Sequence, residues 1–432
     1  MGRAGVEGGR EPMAEPIVIL SIPQLRACDV TPGALASLEE LSRQGELAEL
    51  VPAFPGTAAS SFATLMTGEP PSVHGIVGDT YYDRQTGRIA ARPLPDSAVT
   101  APKLWERLRE QRPGARTLLW FAPNSRGAAV DLAAWTGPDA CLETQPAGLA
   151  DDLTRRFGPL PCPSGTGEPP RREVAAWTLR TAAAVIAVER PDLAVVRLAY
   201  LGQVARRFGP DGREAGRALR ALEAELRPFL AGLPAGTLLL AVTESVTTPV
   251  CGPVFPNRTL RELGLLRLAT APGGGTAIDP AGSAAFALPD HQICHIYLND
   301  PRHAAPLASA FAGDHADGIA QVAALGARAA LGMDHPRSGD IVLVARPDRW
   351  FAADWWTDPA DRPATADPSP LGGGPIDPAR VLGSLGAPVP GPEYFGVLVA
   401  SAPGRIARPA PLAARDLAAI VAGRRPVGRV GP

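Results

Sequence analysis

Phe54-Pro-Gly-Thr57-Ala58-Ala-Ser60-Ser61-Phe-Ala-Thr-Leu-Met-Thr67-Gly68 runs directly into Glu69-Pro-Pro-Ser-Val-His74-Gly-Ile-Val-Gly-Asp79-Thr-Tyr-Tyr-Asp83. A short helix is expected over Ser61 to Thr67, introduced by three hydroxyl residues, Thr57, Ser60 and Ser61. Hydroxyls at a helix start are usually N-caps, and that reading is preferred here. The N-terminus of such a helix is also a candidate anion site. A nucleophilic use of the same hydroxyls is the alternative.

Outward from this stretch, strands alternate with helices. Ile17-Val-Ile-Leu-Ser-Ile22 is an apolar, β-branched run suited to a buried central strand. Thr31-Pro then predicts an N-cap and first helical residue for an amphipathic helix ending near Gly45. A short strand is expected over Leu50 to Phe54, confined to an edge or bulge by Pro52. Helices over Pro102 to Gln111, Arg171 to Glu189 and Glu214 to Leu230 feed strands at Arg116–Phe121, Leu193–Ala199 and Thr237–Val242. That rhythm predicts a mainly parallel sheet covered on both faces, with chemistry at the carboxyl ends of its strands.

The rhythm breaks from about 249 to 336, where a small inserted subdomain is expected, with a strand at Gln292–Leu298 and a helix at Gly318–Leu331. Asp340–Ala345 is read as a return to the main sheet, and the Pro- and Gly-rich stretch after Trp356 as a surface loop. Residues 1–16 are polar, without an apolar core, and read as a disordered leader. The domain proper is taken as 17–425.

At 432 residues, 45% hydrophobic and 20% charged, the composition is that of a soluble globular protein. A net charge of −2 gives no electrostatic case for nucleic acid or an anionic membrane as partner. Lys103 is the only lysine. Five scattered cysteines without C-x-x-C spacing read as reduced thiols, and with no membrane-length apolar run the location expected is cytoplasmic.

The opening stretch resembles the nucleophile segment of nucleotide pyrophosphatases/phosphodiesterases and phosphonoacetate hydrolases of the alkaline phosphatase superfamily. Their frame is F-P-x-x-T-x-P-N-H/N-x-x-x-x-T-G, then x-P-x-x-H-G-I-x-x-N-x-x-x-D. Further landmarks are Thr31-Pro, Phe208-Gly-Pro210, Asn257-Arg-x-Leu-x-x-x-Gly-Leu-Leu266, Asp290-His-Gln-x-x-His295-x-Tyr297 and His335-Pro-Arg-Ser-Gly-Asp340. The resemblance spans about residues 17 to 400. It implies an alkaline-phosphatase-like three-layer α/β/α sandwich around a mainly parallel sheet.

In that family two zinc-like ions clamp phosphoryl oxygens while a threonine attacks. Here the threonine position is Ala58, followed by Ser60 and Ser61 in place of Pro and Asn. The first-strand ligand Asp becomes Pro23. The next ligand pair becomes Tyr200 and Gly202, or Gly202 and Arg206. The S-D-H-G-M motif becomes Thr243-Glu244-Ser245-Val-Thr247, and the last His falls near Leu371. The resemblance therefore implies a protein that has lost the nucleophile and both divalent metals, with no other cofactor.

Three functions follow. One is a pseudoenzyme binding a small ligand or partner protein. Another is a metal-independent enzyme of a biosynthetic pathway using Glu244, Tyr200 and the Thr57–Ser61 hydroxyls. The third is a metal-dependent phosphodiesterase with shifted ligands. Glu244 is read as paired with Arg26 or Arg206 in preference to a catalytic role, and Tyr200 as a buried aromatic. His74 reads as structural. His291, His295 and His335 beside Asp290 suggest a metal group, but packing is preferred. Trp350, Trp355 and Trp356 read as a packed edge, with a ligand pocket as the alternative. Gly372-Gly-Gly374 lacks the context of a phosphate loop.

Overall fold

The computed structural model describes residues 15–137, 141–161, 172–270, 275–358, 381–406 and 411–423. Most of the leader, Cys162, Leu371 and the Gly372–Gly374 run lie outside the described residues.

In chain order the strands of the two larger sheets are β1 (Ile17–Ser21), β2 (Glu46–Val51), β3 (Thr117–Trp120), β4 (Leu132–Thr136), β5 (Leu142–Gln145), β6 (Leu193–Arg197) and β7 (Leu238–Val242). They continue with β8 (Ala285–Asp290), β9 (Ile293–Leu298), β10 (Ile319–Ala324), β11 (Ile341–Ala345), β12 (Gly396–Ala400) and β13 (Leu412–Ala413). The main sheet is ordered β13-β2-β12-β7-β1-β6-β3-β4-β5. Its five central strands, β7 to β4 in that order, are parallel, whereas β12 and β5 run against their neighbours.

Alternation along each strand sends successive side chains to opposite faces. Val18, Leu20, Trp120 and Val196 pack with Leu35 and Leu38 at helix α1 (Ala36–Gln44), and on the same face lie Trp177 and Leu222. Ile19, Leu119, Val195 and Leu240 face the other way, onto α2 (Ala58–Thr67) through Phe62 and Met66, and α3 (Leu104–Gln111) through Trp105. Trp177 and Leu222 come from α4 (Arg172–Glu189) and from the longer of the two helices α5 (Tyr200–Phe208) and α6 (Arg213–Ala231). The result is the three-layer sandwich expected.

Just ahead of α3, Lys103 is almost fully buried. Its Nζ lies 2.9 Å from both Asp96 Oδ2 and Glu106 Oε1.

A second sheet, ordered β8-β9-β11-β10 and antiparallel throughout, forms the inserted subdomain around Phe286, Ile296, Tyr297, Phe311 and Leu343. Three expectations are corrected here. The helix expected at 318–331 is instead strand β10 followed by a single 3₁₀ turn at Arg328–Leu331. Its alanines favour a helix in isolation, but pairing with β11 overrides that preference. β11 belongs to the subdomain, which therefore extends past 336, and the chain re-enters the main sheet only at β12. Finally, α1 begins at Ala36, because Thr31 O accepts from the N–H groups of Ala34 and Leu35 in a turn that precedes the helix. Among the described residues no helix is long and apolar enough to cross a membrane.

Candidate functional site

The carboxyl ends of β7, β1 and β6 lie side by side, and a charged pair bridges them. Arg197 is the last residue of β6 and stands in register with Ser21, the last residue of β1. Glu244 follows β7 on the far side of β1. The Arg197 guanidinium donates twice, Nε to Glu244 Oε2 at 2.6 Å and Nη2 to Oε1 at 2.8 Å. Ser21 Oγ, between them, donates to Oε2 at 3.2 Å. Glu244 is fully buried. Burial works against the Arg197 charge, but the Glu244 carboxylate outweighs it and holds the guanidinium above its ordinary pKa. The partner expected for Glu244 is thus corrected from Arg26 or Arg206 to Arg197. Arg26 instead pairs with Asp29 and Asp211.

Three other expected positions meet beside this pair. Gln24, held at φ 75, turns the chain after Pro23 so that its N–H donates to Ser245 O at 2.7 Å. A Cβ added at Gly202 would stand 3.4 Å from Pro23 Cβ, so the two positions face one another. Tyr200 begins α5 half-buried and packs against the sandwich core. Burial raises its pKa, and the charges it feels are Arg172, Glu173 and Glu214, all on neighbouring helices. Its phenol therefore belongs to the helical layer.

The helix carrying Ala58 starts three residues earlier than expected. Ala58 is its first residue, and the Ala59 N–H donates to Asp79 Oδ1 at 2.7 Å. The hydroxyls do not cap it. Thr57 Oγ1 and Ser60 Oγ are buried without a hydrogen-bond partner, and Ser61 Oγ donates to Pro55 O at 3.4 Å. An aspartate from the following turn takes the capping role, where its negative charge is favourable at the helix N-terminus.

Asp79 is also the hub of a second cluster. Its own N–H donates to Asp290 Oδ2 at 2.5 Å, and Arg92 Nη1 lies 3.1 Å from its Oδ2. One donor atom from each of Asp79, Asp290 and His291 falls within 4.8 Å of the other two. Burial, then the charge of Asp79, holds the Asp290 carboxyl well above the usual range. Burial, then Arg206 and Arg92, holds the His291 imidazole well below its ordinary value. Asp79 also acts electrostatically on Arg197, which links the two clusters.

The histidines divide. His295 is a packing residue, its Nδ1 accepting from Gly339 N–H at 3.1 Å and its Nε2 facing Val77 O at 3.2 Å. His74 is likewise structural, between Thr64 Oγ1 and the Ile76 N–H. His335 lies against the Gly75 turn with Arg337. Packing therefore holds for His295, whereas His291 joins Asp290 and the unanticipated Asp79. A signal existed, since Asp79 stands where the family frame has Asn. Arg197 was hidden inside a run read only as strand. Trp355 and Trp356 pack edge to face in the subdomain core, and Trp350 packs with Val250 and Val381.

A profile of the type I phosphodiesterase / nucleotide pyrophosphatase family matches residues 17–370. No curated protein matches by sequence. Among solved structures, phosphonoacetate hydrolase from Sinorhizobium meliloti 1021 in complex with phosphonoformate superposes with a TM-score of 0.65 at 16% identity, covering 98% of this chain and 99% of that one. An inactive variant of murine ectonucleotide pyrophosphatase / phosphodiesterase 5, in complex with AMP, gives 0.63 at 13% identity, covering 97% and 98%. The human counterpart of that enzyme gives 0.63 at 13% identity, with 94% of each chain covered. At these identities the solved structures establish the fold, and the profile establishes the kinship: the chain belongs to the type I phosphodiesterase / nucleotide pyrophosphatase family.

Proposed function

We propose that this chain is a non-hydrolytic member of its family, a pseudoenzyme that keeps the inherited fold to bind a small ligand or a partner protein. The observation that carries the reading is the bidentate Arg197–Glu244 pair. A carboxylate buried at the strand ends needs a counter-charge. Where the family supplies cations, this chain supplies a guanidinium of its own.

The surrounding residues do not fit a pair of bound metals. Pro23 and Gly202, which face one another, offer no side-chain donor, and Ser245 replaces an imidazole. Ala58 has no nucleophilic atom. The solved murine relative described as inactive carries a Thr-to-Ala change, and alanine stands at the threonine position of the family frame here.

The test is hydrolysis. The purified chain should release no product from bis(p-nitrophenyl) phosphate or phosphonoacetate above a chain-free control, with zinc, manganese or magnesium added or chelator present. Turnover that travels with the chain and disappears in Glu244→Gln would overturn the reading. Two competing readings each have an observation behind them. The unpartnered hydroxyls of Thr57 and Ser60 favour a metal-independent enzyme. The Asp79, Asp290 and His291 group favours a hydrolase with shifted ligands, and the metal-supplemented assay decides between that and the present proposal.

A further inference from the structure

We propose that Asp79, Asp290 and His291 form a site for one divalent cation of zinc-like preference, joining the inserted subdomain to the turn that caps α2. The three come from two parts of the chain. Asp79 ends the His74–Gly78 turn, while Asp290 and His291 form the tip of the β8–β9 hairpin. No local rule of turns or strands requires two carboxylates and an imidazole to converge there. The inference does not depend on the proposed loss of hydrolysis.

Two observations point to a ligand. The donor atoms already lie within 4.8 Å of one another. Metal bonds of about 2.0–2.1 Å at tetrahedral angles need donors about 3.3 Å apart, so small inward rotations suffice. Asp290 Oδ1 is a buried carboxylate oxygen that accepts no hydrogen bond, whereas Asp79 Oδ2 has only the Arg92 guanidinium, 3.1 Å away. Such oxygens are rare in folded proteins and call for an explanation.

The chemistry agrees. Two hard oxygens and one imidazole nitrogen suit zinc better than calcium or magnesium, which prefer all-oxygen shells. Arg92, 3.1 Å from Asp79, and Arg206, which acts on both hairpin residues, already place positive charge here. Glu244 is satisfied by Arg197 and is not a donor.

The test uses the full chain, stripped with chelator and titrated with zinc chloride by calorimetry. One ion per chain is expected. Asp290→Asn and His291→Gln should each weaken uptake by roughly tenfold or more. Asp290→Asn preserves shape and keeps an oxygen for the Asp79 N–H, so its ion-free melting temperature should hold. Absence of saturable uptake, or uptake that both variants retain in full, overturns the proposal. If a variant fails to fold, the wild-type chain loaded with cobalt(II) decides. Visible bands of a low-coordinate nitrogen–oxygen site support it, and their absence at saturation overturns it. Two ions per chain that persist in Asp290→Asn would place metal elsewhere and count against both proposals, whereas one ion lost in the variants leaves the non-hydrolytic reading untouched.

Discussion

The Arg197–Glu244 pair lies where a residue-level change should be most costly. Replacing Arg197 with Met leaves a buried carboxylate with only the Ser21 hydroxyl for company. Removing one partner of such a pair costs about 3–5 kcal/mol, whereas replacing both with apolar residues is often neutral. Arg197→Met should therefore lower the urea midpoint sharply, and the double variant Arg197→Met/Glu244→Met should recover most of the loss. Equal losses in the single and double variants would mean the pair is not what stabilises the strand ends. This pairing was half legible in the sequence. Glu244 could be placed because it follows a readable strand, but its partner could not. β6 and β7 become neighbours of β1 only through the sheet order, which a sequence does not display.

At the scale of elements, the subdomain hairpin depends on a backbone approach that leaves no room for a side chain. A Cβ at Gly339 would meet Ile296 N and O at 2.7 Å and Ile341 O at 2.9 Å, and these backbone atoms cannot step aside. Gly339→Ala should destabilise the subdomain by about 1–3 kcal/mol. Hydrogen exchange should show protection lost in β9 and β11 first, with β1 and β6 retaining theirs. Uniform loss would indicate that the two sheets unfold together. The same region explains where sequence reading failed. β1 was recognisable because a continuous apolar run buried on both faces needs no partner to be seen. β10 was not, since Ala-rich segments take the conformation their neighbours impose. The Asp79–Asp290 contact links positions 211 residues apart and follows from the docking of the whole subdomain.

Across the whole molecule, buried neutral imidazoles set the response to acid. Burial holds His74 down to about 3 and His295 to about 4. Both are neutral in folded and unfolded chains above the ordinary histidine value near 6.5, so their contribution is intact there. As pH falls below that value the unfolded chain takes up protons that the folded chain refuses. Stability is then lost until the folded values are reached. Asp290, whose pKa is raised, works in the opposite direction, so the informative quantity is a difference between variants. His74→Gln should reduce the slope of stability against pH, between about 4.5 and 6, by roughly one proton, or about 1.4 kcal/mol per pH unit. Urea midpoints across that range measure it, and an unchanged slope would mean that His74 charges in the folded state. A different consequence follows from Lys103, clasped by Asp96 and Glu106 beneath the surface. Reagents and modifying enzymes that seek a side-chain amine find no handle on the native surface. Among the described residues the exposed thiols of Cys28, Cys141 and Cys251 offer side-chain handles instead, and acylation of Lys103 becomes a direct record of how often the fold opens.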